Sequence, residues 1–499
     1  MTTAGRIDPE KALAALGKWG RYQILVFTLC NTIWYFGIYQ MMATAFINEK
    51  KDFACVSDTD VEGTNLSNLT MFDQSCHFNG TAGRHKCGHN GTSFVFSNGV
   101  DTTVVSEFNL VCDKKLYPAF LTGWFYGGAI TLSWILGCES VSLELRAYGT
   151  VLMGFFWTWG YCLVGVLAYL IPNWRWLMFA FSIQCVACLT FICIMPEGLH
   201  WLAATNRQER TKEWIRMAAG VNNVKVDLNE CLEDEEDEDS NEGGYSEKAI
   251  KNRTFLDVFK EPILFWHVLA VSYLWFCDTF VYYGLSLFST KLAGDRFVNF
   301  ILSGLVEIPG YVLSAPLMNR IGRRAVVGGF HAMAGVTLLI LMLIPKETES
   351  GFSLQTPILC MWLFGKFAIS LAFCSIFVYG AELFPSTIRS SSVAFCCIIS
   401  RIGGIMAPFV ADVGASNCLL VPSLFGVASL LAALVTAFMP ETLYKHLLED
   451  IHDAKPAGLC LFVWPGAMMN RRRRRRERGA PQPNGNQQHE MLKLKTHTG

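Results

Sequence analysis

Apolar residues along this chain are grouped into runs of about 20 residues, separated by short polar segments. A helical run of this length spans the roughly 30 Å hydrocarbon core of a bilayer. The spans predicted from this pattern are Tyr22–Ala45, Pro118–Gly137, Ala147–Ile171, Leu177–Met195, Leu264–Phe288, Val298–Leu317, Val326–Pro345, Ile358–Gly380, Val393–Val413 and Leu419–Phe438. The chain is therefore predicted to be an all-α polytopic membrane protein, with the lipid bilayer as its main partner.

Charged residues set the orientation of these spans. The residues before Tyr22 include Arg6, Lys11, Lys18 and Arg21, and positive segments stay on the cytoplasmic side. Counting spans from there predicts five parts: a cytoplasmic N-terminus over 1–21, an N-terminal helical half over 22–195 that includes an extracellular loop over 46–117, a cytoplasmic loop over 196–261, a C-terminal six-helix half over 262–439, and a cytoplasmic basic tail over 440–499. Both termini are expected inside, at the plasma membrane.

The loop over 46–117 carries two features of an oxidising, extracellular compartment. It holds four N-glycosylation sequons, which are at Asn65, Asn68, Asn79 and Asn90. It also holds four cysteines, which are Cys55, Cys76, Cys87 and Cys112. An even cysteine count in such a loop predicts two disulfides, and three pairings are open. The alternative is chance sequons and free thiols.

One motif pattern occurs twice in the chain. Glu139 and Arg146 are seven residues apart, as are Glu382 and Arg389, and each pair is followed about fifty residues later by Pro-Glu. Upstream the repeat fails, because the first half has two spans before its Glu and the second half has four. Two helices and one basic inner loop are therefore expected to be missing from the first half.

A set of motifs in a fixed order resembles one known family. They are Gly20-Arg-Tyr-Gln23, Asn109-Leu-Val-Cys112, Trp174-Arg-Trp176, Pro196-Glu197, Tyr282-Tyr-Gly-Leu285, Glu307-Ile-Pro309, Gly322-Arg-Arg324, Gly365-Lys366 and Glu382-Leu-Phe-Pro385. The chain resembles the organic cation/anion/zwitterion transporter family of the major facilitator superfamily. The resemblance implies a pseudo-symmetric bundle and alternating access between its halves. A typical member has twelve spans, whereas about ten are expected here.

The repeated acid and base residues are candidates for an inner gate. Alternating access needs charges that pair in one state and separate in the other. The predicted gating residues are Glu139, Arg146, Gly322, Arg323, Arg324, Glu382 and Arg389. Gly322 permits a tight turn, and the two arginines after it can reach Glu382 or a nearby helix end. The alternative is that the arginines only set topology.

A charged residue inside an apolar run is the candidate for substrate recognition. Arg401 lies twelve residues into the run that begins at Ser390, at a depth where a charge costs about 2.5–3.5 kcal/mol. The resemblance implies that anion and zwitterion carriers have Arg there and cation carriers an acid. Phe373, Phe377, Tyr282 and Tyr283 are the expected aromatic contacts. The competing interpretations are helix packing, and an internal partner for Arg401 such as Glu307 or Glu382.

The sequence gives little support for other functions. There is no phosphate loop, HExxH or GxSxG motif, so no enzyme, cofactor, metal site or nucleic-acid partner is expected. The run Arg471–Arg476 predicts contact with anionic inner-leaflet lipid, or else an address signal or a solvated tail. The leading prediction is transport of small organic ions, with anions or zwitterions favoured. The alternative is a truncated isoform or gene-model product with little transport and a regulatory role.

Overall fold

The computed structural model describes residues 7, 9–17, 20–49, 52–57, 76–80, 83–87, 92–96, 102–127, 143–183, 197–204, 207–227, 231, 258, 261–345, 354–385, 388–413 and 419–443. Its helices are Pro9–Ala15 (α1), Arg21–Ile47 (α2), Val104–Glu107 (α3), Tyr117–Gly127 (α4), Leu143–Leu170 (α5), Leu199–Ala204 (α6), Gln208–Asn222 (α7), Pro262–Phe288 (α8), Arg296–Leu305 (α9), Glu307–Ile321 (α10), Arg323–Leu341 (α11), Gln355–Glu382 (α12), Arg389–Val413 (α13) and Leu420–Ala437 (α14). A further helical stretch covers residues 174–183.

Within these ranges, eight helical stretches are long and apolar enough to cross a membrane. They lie in α2, α5, α8, α11, α12, α13 and α14 and in the pair α9–α10. The predicted class of a helical, polytopic membrane protein is therefore confirmed. The predicted spans Pro118–Gly137 and Leu177–Met195 are seen in part, as α4 and as the stretch 174–183, and their remainders lie outside the described residues.

One predicted helix is broken in two. The sequence predicts a continuous helix over Val298–Leu317, but α9 ends at Leu305 and α10 begins at Glu307. The physical reason is Pro309, which has no N–H to donate to the Leu305 carbonyl and whose ring crowds that carbonyl. The break places the Glu307 carboxylate at the N-terminus of α10, where the helix dipole favours negative charge.

The C-terminal half is held together by long helix–helix contacts. Helix α8 lies along α13, and α11 packs against both α12 and α14. From the first half, α5 contacts α9 and α10 as well as α2, and α4 packs against α13. Helix α5 therefore brings the first half to the broken helix of the second half.

The loop between α2 and α4 forms a small cross-linked unit. Strands Phe53–Ser57 (β1) and Thr92–Phe96 (β4) pair antiparallel, as do His77–Gly80 (β2) and Gly83–Lys86 (β3). Of the three open pairings, the structure has Cys55–Cys87 and Cys76–Cys112, each with Cα atoms 5.7 Å apart. No secondary structure is predicted for this loop from the sequence, so the strands are an addition from the structure.

A charged contact joins this loop to the turn between α5 and the stretch 174–183. The Glu107 carboxylate, at the end of α3, accepts hydrogen bonds from Trp174 Nε1 at 2.7 Å and from Arg175 Nε at 3.0 Å. The Arg175 hydrogen bond holds the pKa of Glu107 below its ordinary value. The contact therefore persists while Glu107 is ionised and weakens as the solution is acidified.

The segment predicted as a charged loop over 196–261 contains ordered helices. Helices α6 and α7 pack with α1 and the start of α2 around Leu13, Tyr22, Trp214 and Ile215. Asn222, at the end of α7, accepts a hydrogen bond from the Tyr22 backbone at 2.8 Å. The acidic run 233–239, which is predicted to be disordered, lies outside the described residues.

Candidate functional site

A cavity open to solvent lies between α5 and helices α8, α10, α12 and α13, and its empty space is about 690 Å³ when the solvent at its mouth is included. Its lining residues are Met153, Gly154, Trp157, Trp275, Thr279, Tyr282, Tyr283, Tyr311, Ser370, Phe373, Cys374, Phe377, Ser400 and Arg401. All five residues predicted to contact substrate are in this list. Four helices of the C-terminal half and one of the first half meet at this cavity, so it lies where the two halves join.

A buried ion pair supports one wall of the cavity. The Glu307 carboxylate accepts hydrogen bonds from Tyr282 and Tyr311 hydroxyls at 2.7 and 2.8 Å, and Lys366 Nζ lies 3.1 Å from its Oε1. Lys366 also donates to Ser286 Oγ at 2.6 Å. Both charged side chains are fully buried, and a carboxylate and an ammonium in contact neutralise each other.

Arg401 is held within α13 beside the α8 backbone. It is half-buried and interacts with Tyr283. A Cβ added at Gly403 would lie 2.4 Å from the Phe276 carbonyl oxygen, so glycine is needed for α13 to approach α8 this closely. Thr279 Oγ1, one turn along α8 from Phe276, donates to the Ser400 carbonyl at 2.6 Å.

The two acids considered as internal partners of Arg401 are engaged elsewhere. Glu307 pairs with Lys366, and Glu382 pairs with Arg323 at 3.2 Å. Among the residues that the structure describes, no carboxylate lies within ion-pair distance of Arg401. Within the described part of the chain, Arg401 is also the only lining residue of the cavity that is charged at neutral pH.

Aromatic side chains form the opposite wall. Phe373 and Phe377, one turn apart on α12, have ring centroids 5.7 Å apart. Both meet the Trp275 ring edge-on, at 5.9 and 4.4 Å, and Phe373 also meets Tyr282 at 5.7 Å. Trp275, which is not among the predicted contacts, also lies on the cavity wall.

Several lining residues were not predicted. Trp157 of α5 donates from its indole N–H to the Tyr282 hydroxyl. Gly154, one turn earlier, lies against Tyr311, and a Cβ there would be 2.5 Å from the Tyr311 ring. No local sequence pattern identifies these residues, because only the packing of α5 against α10 brings them to the cavity.

The predicted gating residues that are described cluster at one end of the C-terminal half. Gly322 has φ +112°, and it joins α10 to α11 in a conformation that favours glycine. Arg323 reaches Glu382, whereas Arg324 donates to the Met439 carbonyl at 3.2 Å. Arg389 donates to the Phe384 carbonyl at 3.2 Å. Glu139 and the Arg146 side chain lie outside the described residues, although the Arg146 backbone belongs to α5.

An acid that sequence analysis missed completes this cluster. The Glu441 carboxylate accepts hydrogen bonds from the backbone N–H groups of Arg323 and Arg324 at 2.9 and 3.1 Å. It therefore caps the N-terminus of α11, where backbone donors are otherwise unpaired. The signal was present in the sequence as Pro440-Glu441, which the repeat pattern matched to Pro196-Glu197.

A contact between the two halves joins the C-terminal end of α2 to the N-terminal end of α9. Phe46 stacks on Phe297 at 5.3 Å and meets Phe300 edge-on at 4.9 Å. Beside this stack, Arg296 forms an ion pair with Glu49. Of the predicted glycosylation sites, Asn79 lies in β2, and Asn65, Asn68 and Asn90 lie outside the described residues, as does Arg471–Arg476.

Comparison with known proteins places the geometry in context. Residues 108–453 match the family described as sugar (and other) transporter. A putative transporter of Caenorhabditis elegans is 29% identical over 467 residues, which cover 91% of this chain and 92% of that protein. The organic cation transporter protein of Drosophila melanogaster is 32% identical over 340 residues, covering 68% of this chain and 61% of that protein. The organic cation/carnitine transporter 2 of Homo sapiens is 31% identical over 324 residues, covering 64% of this chain and 55% of that protein.

Proposed function

The chain belongs to the sugar (and other) transporter family of the major facilitator superfamily, and from this premise we propose that it carries small organic anions or zwitterions by alternating access. That family consists of multi-pass membrane transporters rather than enzymes. The substrate class, the roles of individual residues and the orientation in the membrane are parts of the proposal.

The charge balance of the cavity carries the proposal. Lys366 neutralises Glu307, so Arg401 is the net charge among the described lining residues. A guanidinium presents two parallel N–H donors to a carboxylate or sulfate group, and such charge-assisted pairs are among the strongest hydrogen bonds in proteins. When the cavity closes, the half-buried Arg401 loses hydrogen bonds to water. A bound anionic group therefore replaces these hydrogen bonds.

The aromatic wall favours an organic body attached to that anionic group. Flat rings stack on Phe373 and Phe377, and a quaternary ammonium is attracted to the face of an aromatic ring such as Trp275. A zwitterion uses both features at once. Carnitine, which appears in the name of the human relative, carries a carboxylate and a quaternary ammonium, whereas the Drosophila relative is named for organic cations.

The gating proposal uses two clusters at opposite ends of the bundle. Arg323, Glu382 and Glu441 hold one end of the C-terminal half together, and Glu139 and Arg146 are the proposed counterparts in the first half. The Glu49–Arg296 pair and the Phe46 stack join the halves at the other end. Alternating access requires that the contacts between the halves, here the Glu49–Arg296 pair and the Phe46 stack, break when the carrier opens at that end.

The orientation follows from the charges. We place both termini in the cytoplasm and the protein at the plasma membrane, with the disulfide-linked loop outside and Arg471–Arg476 near anionic inner-leaflet lipid. The alternative of a truncated product with little transport finds no support in the comparisons. Met153, Gly154 and Trp157 of the first half also line the cavity with the second half.

Replacing Arg401 tests the substrate class. Uptake of labelled benzoate, carnitine and tetraethylammonium would be measured in cells expressing the full chain, with surface expression quantified in parallel. Arg401→Lys keeps the charge but loses the paired donors, so carboxylate uptake should fall. Losing one charge-assisted interaction of about 1.5–3 kcal/mol corresponds to a loss of about 10- to 150-fold in affinity. Arg401→Asp should abolish benzoate uptake.

A matched control changes the same charge away from the cavity. Arg320 is exposed at the end of α10, and Arg320→Asp should leave carboxylate uptake near the unmutated rate. If Arg401→Asp reaches the surface and still carries benzoate or carnitine at the unmutated rate, the proposed role of Arg401 is wrong.

A further inference from the structure

A second buried acid lies close to the cavity but outside its wall. Asp278 of α8 and His331 of α11 are both fully buried, and His331 Nε2 lies 3.2 Å from Asp278 Oδ1. Among the described residues, neither Asp278 oxygen and not His331 Nε2 has a hydrogen bond of standard geometry, so the two side chains face each other as a close polar contact. A carboxylate without donors in a dry helix bundle is costly, so this pair needs a physical explanation.

The hydrogen bond on the other side of the imidazole ring fixes the proton count. His331 Nδ1 lies 2.8 Å from the Val327 carbonyl oxygen, which can only accept, so Nδ1 carries a proton. Without a further proton, Nε2 and the carboxylate would be two acceptors facing each other at 3.2 Å. One additional proton therefore lies on either Nε2 or the carboxyl, and with it the pair has no net charge.

Among the residues that the structure describes, no neighbouring charge replaces that proton. The titratable group beside the pair on α8 is the Cys277 thiol, and α14 presents the buried hydroxyl of Ser429 to that thiol. The cations nearest to the cavity are Lys366 of α12 and Arg401 of α13. Lys366 pairs with Glu307, and Arg401 interacts with Tyr283. Among the described residues there is no cluster of His, Cys, Asp and Glu that could hold a metal ion.

The position of the pair links it to the substrate cavity. Asp278 directly precedes Thr279, which lines the cavity and bonds to the α13 backbone, and Tyr282 follows one turn later. Removing the proton leaves a net negative charge among α8, α11 and α14, and that charge is stable only when water enters. Protonation therefore favours the dry packing seen here, and deprotonation favours a rearranged α8.

Building on the proposed carrier function, we propose that Asp278 and His331 form a proton-binding site whose proton is the ion coupled to the transport cycle. The proton enters from water on one side of the membrane while α8 is rearranged, is held during the packed state, and leaves to water on the other side. No other reactant is needed, because the proton is bound and released without redox chemistry.

The first experiment tests the proton itself and needs no substrate. Thermal unfolding of the purified full chain in detergent would be followed between about pH 7 and about 9, where free Asp is ionised and free His is mostly neutral. The folded pair holds one more proton than the unfolded chain in this range. Stability should therefore fall as pH rises.

One substitution removes that dependence without removing the contact. In Asp278→Asn the amide donates to neutral Nε2, so no proton is bound in excess of the unfolded chain. This variant should show a shallower fall than the unmutated chain, while Cys277 contributes equally to both. His331→Gln keeps the buried carboxyl, which still holds a proton that the unfolded chain lacks, so it should keep the fall. His267→Gln alters another buried histidine of α8 and should keep the full dependence. Equal pH slopes for the unmutated chain and Asp278→Asn would overturn the proton site.

The second experiment tests coupling. Proteoliposomes with the membrane potential clamped at zero would be given a gradient of one pH unit, which supports up to about tenfold accumulation for one coupled proton. The unmutated chain should accumulate carnitine, whose permanent charges prevent passive entry, and Asp278→Asn should equilibrate it without accumulation. Equal accumulation by both would exclude coupling at this pair. Loss of the pH slope in Asp278→Asn, with no uptake of carnitine by the unmutated chain, would overturn the carrier assignment but keep the proton site.

Discussion

The neutralisation of Glu307 by Lys366 can be tested by a double-mutant cycle. Removing one partner of a buried ion pair costs about 3–5 kcal/mol, because an uncompensated charge remains. Lys366→Met leaves Glu307 with the hydroxyls of Tyr282 and Tyr311, at 2.7 and 2.8 Å, as its donors. Since hydrogen bonds to a charge offset part of the loss, we expect the lower end, about 3 kcal/mol.

Replacing Glu307 instead of Lys366 should lower the free energy of unfolding by a similar amount. Glu307→Gln leaves the Lys366 ammonium with Ser286 Oγ at 2.6 Å and the Tyr282 ring at 3.1 Å from its centroid. Two independent losses would sum to about 6 kcal/mol, but removing both charges together often proves neutral. The double variant should therefore be more stable than either single variant.

The assay is denaturant unfolding of the four purified proteins in one detergent. The control cycle uses the exposed pair Lys212 and Glu209 on α7, which are 2.9 Å apart, where neither substitution should have a measurable effect. If the double variant Lys366→Met/Glu307→Gln loses as much stability as the two single variants summed, the pair is not self-neutralising. Arg401 would then not be the net charge of the cavity.

Three further outcomes follow from the geometry. Gly154→Ala should lower uptake, because its Cβ would overlap the Tyr311 ring and overpacking costs about 1–3 kcal/mol, whereas Gly329→Ala, with open space around it, should have no effect. Glu107→Gln should increase deuterium exchange of residues 102–115 at neutral pH. The unmutated chain should show the same increase, relative to the intrinsic exchange rate, when the pH falls below the lowered pKa of Glu107 and the contact with Arg175 is lost. Glycosidase treatment of surface-expressed protein should increase its gel mobility, and an unchanged band would contradict an outside location for the loop.

The helical class and much of the cavity wall could be predicted because local signals carry them. Apolar runs of about 20 residues are sufficient to identify spans. Arg401 is conspicuous because a charge in such a run is rare, and Phe373 and Phe377 share a face through their spacing alone. The residue roles remain predictions, but the structure brings these side chains to one cavity.

Features set by tertiary packing could not be predicted. Nothing local to Trp157 indicates that its indole reaches Tyr282, since the two residues are 125 positions apart in the chain. The role of Lys366 depends on a partner on another helix. The break before Glu307 was accessible through Pro309, but a proline within an apolar run is also compatible with a merely kinked span.

The two disulfides of the loop interleave along the chain, since Cys76 lies inside the segment closed by Cys55 and Cys87, and Cys112 lies beyond it. All four cysteines and all four strands precede Tyr117, where α4 begins. During synthesis, this unit is therefore complete before most of the membrane helices leave the ribosome. In the proposed orientation the two disulfides form in the lumen and involve residues of this loop alone. The loop can therefore fold and be oxidised while the remaining membrane helices are still being synthesised.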